Sequence, residues 1–380
     1  MPRLIVLVSA VVFVDTLLFG AIIPLVPGYA DDFDLSKLQA GLLVGAYGAG
    51  ALASGIPGGL LARRIGPRAT VVTGLAALAA ASVAFALAGG PLALGLARFA
   101  QGIASVTTWS GALAWVVGAT PRARRGQVLG TVFAFAVLGF IVGPMLGALA
   151  ELVGIRPSFA LVAGVVVVLA VVAALEPPAP VERLVPGALR RALGDPAFVI
   201  GLWLSMLPAF LFGVLDVLVP LSLDERGWSA FAVAAVFVVA GLVETGVNPV
   251  VGRVSDRRGR LAPIRWALVL SIAVTLAFAL ADAPLVVALL VVAASIATGG
   301  FYTPGVALAS DRAEAAELAQ GLAFGILNTA WAAGAMVGPA LGGTLADGLG
   351  DAAPYLLVTA LCAGTLLAVS RESLARATTA

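Results

Sequence analysis

The chain is 380 residues long, 61% hydrophobic and only 11% charged, with a mean hydropathy of +1.09, where a soluble domain carries about 25% charged residues. That excludes water as its solvent, and its 45 glycines and 22 prolines are tolerable in membrane spans, where small residues let helices approach closely. No histidine, a single cysteine (Cys362) and scattered basic residues with a net charge of +2 exclude an intramolecular disulfide and argue against zinc, His-dependent catalysis and a nucleic-acid partner.

A membrane span needs roughly 20 mainly apolar residues. The first such stretch, 4 to 26, follows Arg3, is too long for a signal-peptide core and lacks an A-x-A cleavage site, so it reads as span 1. Stretches 38 to 62, 69 to 88, 91 to 118, 127 to 150 and 157 to 175 complete a first group of spans. The polar interval EPPAPVERLVPGALRRALGDP, 176 to 196, is rich in proline and arginine as a linker would be, with room for a short amphipathic helix. Stretches 197 to 221, 229 to 251, 264 to 281, 284 to 308, 319 to 346 and 353 to 370 form the second group.

The expected architecture is an all-α integral membrane protein of twelve transmembrane helices in two six-helix bundles, 1–175 and 197–380, joined by a cytoplasmic linker, 176–196. Basic residues beside spans favour the cytoplasmic side. With the N-terminus inside, every one of the 22 basic residues is cytoplasmic except Lys37, Arg156, Arg226 and the in-span Arg98. Both termini are therefore expected in the cytoplasm, and a multi-pass position in the plasma (inner) membrane follows.

The two groups repeat. A shift of 193 residues carries Phe19-Gly20 onto Phe212-Gly213, Pro27 onto Pro220, and the loop GLLARRIGPR (59 to 68) onto GRVSDRRGRL (252 to 261). A shift of 195 carries GTVFAFAVLGFIVGPMLGA (130 to 148) onto GILNTAWAAGAMVGPALGG (325 to 343), both following G-x8-G-x3-G-P-x2-G. Six spans preserve direction, so the halves are parallel repeats about an axis along the membrane normal, an arrangement that permits alternating access.

On these motifs the chain resembles the major facilitator superfamily over nearly its whole length. The loop after span 2 (Arg63, Arg64, Gly66) and its second copy (Asp256, Arg257, Gly259) resemble the family's GxLaDRxGRR element. RFAQG, 98 to 102, is similar to its R-x-x-Q-G element in span 4, and span 5 carries its antiporter-type element. The resemblance implies two pseudo-symmetric six-helix bundles and points toward the twelve-span drug:proton antiporters, a group extending to vesicular amine carriers with an acidic residue in span 1. Two departures stand out in the first loop: Arg63 replaces the usual Asp and Pro67 a basic residue, which puts the standard cytoplasmic gate in doubt.

An ionisable group inside a span is costly and is by default a functional candidate. Four qualify: Asp15 in span 1, Arg98 in span 4, Asp216 in span 7 and Glu244 in span 8. Asp15 lies eleven residues after Leu4, about 16 Å into the bilayer, near the midplane where transporter sites sit. It is the first candidate for the proton or cation site, with a switchable pair to Arg98 as one arrangement and a purely structural pair as the other. Asp216 is either cavity-lining or near the exterior mouth, and Glu244 either meets substrate or bonds a neighbouring helix. Excess in-span acid favours a cationic substrate, and Tyr47, Tyr302, Asn328 and Trp331 are candidate cavity residues, with ordinary helix packing as the competing role for each aromatic.

Gly139, Gly143, Pro144 and Gly147, with Gly334, Gly338, Pro339, Gly342 and Gly343, are expected at a pliable interface between the halves. In the cytoplasmic loops, Arg63 is expected to pair with Asp311, Glu314 or Glu317, and Asp256 to face Arg122, Arg124 and Arg125. The expected activity is export of a lipophilic, cationic small molecule in exchange for protons, with a sugar, amino acid or other metabolite as the alternative cargo and a receptor or scaffold as the alternative class. No cofactor is expected, since neither a G-x-x-x-x-G-K-[ST] loop nor a nucleophile motif is present. The partners are the small-molecule substrate, protons and the bilayer. Oligomeric state is unreadable, because GxxxG-like spacings occur throughout a chain so rich in glycine.

Overall fold

The structure, a computed structural model, describes residues 2–121, 124–178, 185–318 and 320–377. Among them are twelve helical segments long and apolar enough to cross a membrane, and no strand. The first span is broken: α1 (Pro2–Gly20) gives way to a short 3-10 turn, Ile23–Leu25, and then α2 (Val26–Phe33). Pro24 and Pro27 explain the break, since neither has an N–H to continue the ladder.

The rest of the first half is α3 (Lys37–Ile65), α4 (Pro67–Leu87), α5 (Pro91–Ala119), α6 (Arg125–Val153) and α7 (Ile155–Leu175). A short α8 (Ala188–Leu193) precedes the second half, α9 (Pro196–Asp224), α10 (Ala230–Arg258), α11 (Leu261–Phe278), α12 (Pro284–Ala315), α13 (Gln320–Leu349) and α14 (Ala352–Ala377). The face holding both chain ends and α8 is called the terminal face below, and the opposite one the distal face.

Helix ends follow local chemistry. Ser36 and Gln39 form a reciprocal capping box at the start of α3, and Ser229 and Asp195 cap α10 and α9. The repeat is visible in the backbone itself. Gly66, after α3, has φ 86° and ψ 156°, and Gly259, after α10, has φ 81° and ψ 155°. A Cβ would oppose these positive φ values, which is the physical reason both copies of the loop keep glycine.

Within the first half α1 packs on α6, and α5 on α3 and α4; within the second, α9 packs on α12 and α13, and α10 on α12. The halves meet chiefly where α3 lies along α13 and α6 along α10. Outward-facing Leu161, Val168, Leu280 and Leu289 are exposed apolar side chains suited to lipid. The helix α8 buries Ala188 and Ala192 beside Phe198, Ala309 and Ala313, so this part of the linker is attached to the second half.

Candidate functional site

Asp15 is almost fully buried, 1% exposed, on α1. One carboxylate oxygen, Oδ2, accepts hydrogen bonds from Ser105 Oγ and Trp109 Nε1 of α5, each at 2.7 Å. The other, Oδ1, is buried without a hydrogen-bond partner among the described residues. Ser105 and Trp109 were not among the sequence candidates. They stand seven and eleven residues after Arg98, a spacing that keeps all three on one face of α5, and this spacing was the available signal.

Arg98 does not pair with Asp15. Its guanidinium donates to the Leu18 and Phe19 carbonyl oxygens at 3.2 and 3.3 Å and to Gln101 Oε1 at 3.1 Å. The last carbonyls of a helix lack partners within it and carry the negative end of its dipole. The break after Gly20 leaves two such carbonyls inside the protein, and Arg98 of the R-x-x-Q-G element is their cap. Its guanidinium also lies 4.8 Å over the Tyr47 ring.

Between the halves lies a cavity of about 440 Å³. Asp15 and Tyr47 line it from the first half, and Asp216, Glu244, Tyr302, Asn328 and Trp331 from the second; Arg98 does not reach it. Asp216 is 3% exposed and its Oδ1 has no hydrogen-bond partner among the described residues. Glu244 and Asn248, one turn apart on α10, lie against Gly299 of α12. Phe19, which the sequence marks only through the repeat, sits 5.0 Å from the Tyr47 ring, 5.8 Å from Phe140 and 5.1 Å from Trp331 of the other half. A larger cleft, about 570 Å³, runs beside Tyr29, Asp32, Glu151 and Arg156. It lies within one half at the distal face, so relative motion of the halves would not carry it from side to side.

The glycine-rich elements sit differently from expectation. A Cβ at Gly139 would collide with the Phe13 carbonyl and Thr16, one at Gly143 with Leu17 and Gly20, and one at Gly147 with Ala21 and Pro24. In the second half Gly334 and Gly338 press on Met206 and Phe210, and Gly342 on Val214. These glycines therefore join α6 to α1 and α13 to α9, inside each half. Thr16 Oγ1, donating to the Ala136 carbonyl at 2.7 Å, fastens the first of these contacts. Pro144 packs against Gly20, within the same half, whereas Pro339 also meets Gly41, and Gly343 meets Lys37, across the interface.

That cross-interface contact is tight at the distal face. Gly41, Gly45 and Gly48 of α3 abut Pro339, Met336 and Ala335 of α13 and Gly55 still meets the Thr329 side chain, whereas a Cβ at Gly59 or Gly325, nearer the terminal face, would meet open space. The distal contact is locked by Asp347 at the end of α13. Its two carboxylate oxygens accept from the Lys37 and Leu38 backbone N–H groups at 3.1 and 2.8 Å, while Lys37 Nζ pairs with Asp351 at 2.6 Å. A carboxylate at a helix N-terminus satisfies orphan donors and suits the dipole.

Among the described residues, Arg63 does not form the expected terminal-face pairs and Asp256 is held within its own half. Arg63 and Arg64 are exposed, and Arg63 makes no ion pair among the described residues. Asp311 is held by Arg260 at 3.3 Å and Glu317 by Arg191 at 3.1 Å. Asp256 pairs with Arg260, one turn on, at 2.7 Å. Arg122 lies outside the described residues. Asp256, Asp311 and Glu317 thus each take a base on their own half or on α8.

The sequence profile of the Major Facilitator Superfamily matches residues 8–321. The chain belongs to that family. It is therefore a transporter by family. Multidrug resistance protein 1 of Bacillus subtilis (strain 168) is 25% identical over 343 residues, covering 88% of this chain and 87% of that one. Quinolone resistance protein NorA of Staphylococcus aureus (strain MRSA252) is 23% identical over 365 residues, covering 94% and 93%. Among solved structures, a bacterial homologue of the human lysosomal transporter Spinster, crystallised inward-facing and unoccupied, superposes with a TM-score of 0.76 at 17% identity, covering 98% of this chain and 93% of that one. This last likeness establishes the family fold; the substrate has to be argued from the cavity.

Proposed function

We propose that the chain is a proton-coupled antiporter that exports lipophilic organic cations by alternating access. The observation that carries this reading is the distribution of charge: the cavity receives carboxyl groups from both halves, Asp15 from one and Asp216 and Glu244 from the other, while Arg98 is held behind Tyr47. Ionised carboxylates buried as Asp15 and Asp216 are are costly unless a proton or another cation neutralises them. The two neutralising species then compete for the same groups, which is the physical basis of exchange. Phe19, Tyr47 and Trp331 supply ring faces for an organic cation.

The names of the relatives, multidrug and quinolone resistance proteins, support an exporter. The positive-inside bias supports a cytoplasmic terminal face, since Arg63, Arg64, Arg253, Arg257, Arg258 and Arg260 lie at its loops, against Lys37, Arg156 and Arg226 at the distal loops. In proteoliposomes with an imposed pH gradient, tetraphenylphosphonium movement is expected to follow the gradient and a neutral hexose is not. Asp15→Asn is expected to abolish gradient-driven movement and to leave counterflow exchange. Hexose flux without cation flux, or full coupling in Asp15→Asn, would overturn the respective parts of the reading.

A further inference from the structure

We infer that Trp109 is a positioning residue that ties the charge on Asp15 to the contact between the two halves on the terminal-face side of the cavity. This inference rests on Asp15 being the proton site. Three observations place Trp109 there. Its indole N–H donates to Asp15 Oδ2 at 2.7 Å. Its ring lies 5.8 Å from that of Phe133 on α6. Phe133 in turn lies 5.3 Å from Phe324, which belongs to α13 of the other half. The chain from carboxylate to indole to two phenyl rings is continuous, and its last step crosses the interface.

The position of the stack gives that step a consequence. Phe324 stands near the start of α13 and Phe133 near the start of α6, both at the terminal-face ends of their helices. Nearby Gly59 and Gly325 face open space, beyond the contact of Gly55 with Thr329, so the aromatic contact narrows the mouth at this face. An ionised carboxylate makes a stronger, more directional hydrogen bond than a neutral one, and it holds the indole ring against Phe133. Protonation of Asp15 weakens that bond, releases the indole and loosens the contact with Phe324. A proton-loaded site is thereby opened to the face where the proton must leave, and an ionised, cation-loaded site favours closure there.

The test uses the full-length protein in liposomes with Cys362→Ser, and spin labels at Gln127→Cys and Leu322→Cys reporting the separation of α6 and α13 across the mouth. The wider population is expected to grow as pH falls, by roughly fivefold or more, the range of ordinary allosteric couplings. Trp109→Phe keeps a ring for Phe133 but has no N–H, and is expected to flatten this pH response. Phe324→Leu is expected to widen the mouth at every pH and, because coupling is reciprocal, to move the pH midpoint of tetraphenylphosphonium exchange upward, by less than the loss of a direct donor to Asp15. Ser105→Ala removes the other donor to Oδ2 without touching the stack, and is expected to move the exchange midpoint upward by about one pH unit or more, one charge-assisted bond being lost, while the mouth still responds to pH.

A normal pH response in Trp109→Phe, or a wider mouth in Phe324→Leu with no upward movement of the exchange midpoint, would overturn the coupling. If Asp15→Asn itself keeps the parent's pH response, the proton-site reading fails instead. If Asp15→Asn abolishes the response and Trp109→Phe leaves it intact, only the role of Trp109 falls.

Discussion

Replacing Asp347 with alanine should tip the protein toward opening at its distal face. In the structure this carboxylate caps α3 through the Lys37 and Leu38 N–H groups, at 3.1 and 2.8 Å, although it sits on α13 of the opposite half. Loss of a helix N-cap costs about 0.5–2 kcal/mol. Asp347 is exposed, which places the effect toward the middle of that range rather than at its top. The neighbouring Lys37–Asp351 pair, also solvent-accessible, adds about 0–1 kcal/mol. It is partly lost when Lys37 is no longer anchored.

A bias of about 1.4 kcal/mol is tenfold in the equilibrium between the two arrangements. The assay is labelling of Val44→Cys, a cavity-lining position on α3, in a Cys362→Ser background. An impermeant maleimide is applied from the distal side of oriented vesicles. The parent should label slowly and Asp347→Ala several-fold to tenfold faster, with Asp351→Ala well short of that. An unchanged rate in Asp347→Ala would show that the packing of α3 on α13 holds the face shut alone, and the latch reasoning would be wrong.

Two further predictions concern packing and the buried arginine. Gly139→Val should lower the stability of the detergent-solubilised protein by about 1–3 kcal/mol, the usual cost of overpacking, because its side chain would displace the Phe13 carbonyl and Thr16. Gly130→Val, facing open space, should leave the thermal midpoint nearly unchanged, and equal losses in both would refute the α1–α6 contact. Arg98→Lys keeps a cation near the α1 carbonyls but loses the forked donors and the Tyr47 stack. A loss of about 2 kcal/mol in thermal unfolding is expected, and a fully stable Arg98→Lys would refute the capping role.

The broad architecture was legible because two strong signals coincide. Long apolar stretches have no alternative to spanning a membrane, and the duplicated glycine elements reveal that the second half repeats the first. The break in span 1 was written in Pro24 and Pro27 but is invisible to hydropathy, since proline interrupts a helix without making it polar. Arg98 illustrates a different limit. Opposite charges at positions 15 and 98 suggest a pair, whereas the competing acceptors are backbone carbonyls that exist only once α1 has ended, and no side-chain inventory lists them. The same holds for Asp347, whose partners are two backbone N–H groups of the other half. Trp109 was within reach of periodicity alone, four residues after Ser105 and eleven after Arg98 on α5, but a lone tryptophan in a span ordinarily reads as packing.

The glycine elements show why a motif can be found and still be misplaced. Their spacing demands close approach to something, and sequence cannot say to what. The structure answers with the first helix of the same half: α6 on α1 and α13 on α9. Flexibility at these elements would therefore act by shifting α1 or α9, which carry Asp15 and Asp216, relative to their own half, before any movement of one half against the other.

The two faces are closed by unlike means, and the difference follows from where charges stand on helix ends. Asp347 lies at the C-terminal end of α13, where a helix dipole disfavours an anion, and the N-terminus of α3 offsets that penalty only while the distal face is shut. Its repeat counterpart, 195 residues earlier, is Leu152, so the α6–α10 contact has no such device. At the terminal face Arg63 occupies the C-terminal end of α3, where a cation already suits its own helix. Bringing it toward the start of α13 would set a cation against the positive end of a second dipole. Closure there has to draw on the acids around Asp311 and Glu317, which are at present held by Arg260 and Arg191. The latch at one face is formed without rearrangement and the other is available only by exchanging partners. The protonated, substrate-free protein should therefore rest with the terminal face parted, and the binding energy of the cation in the cavity is what must turn that balance.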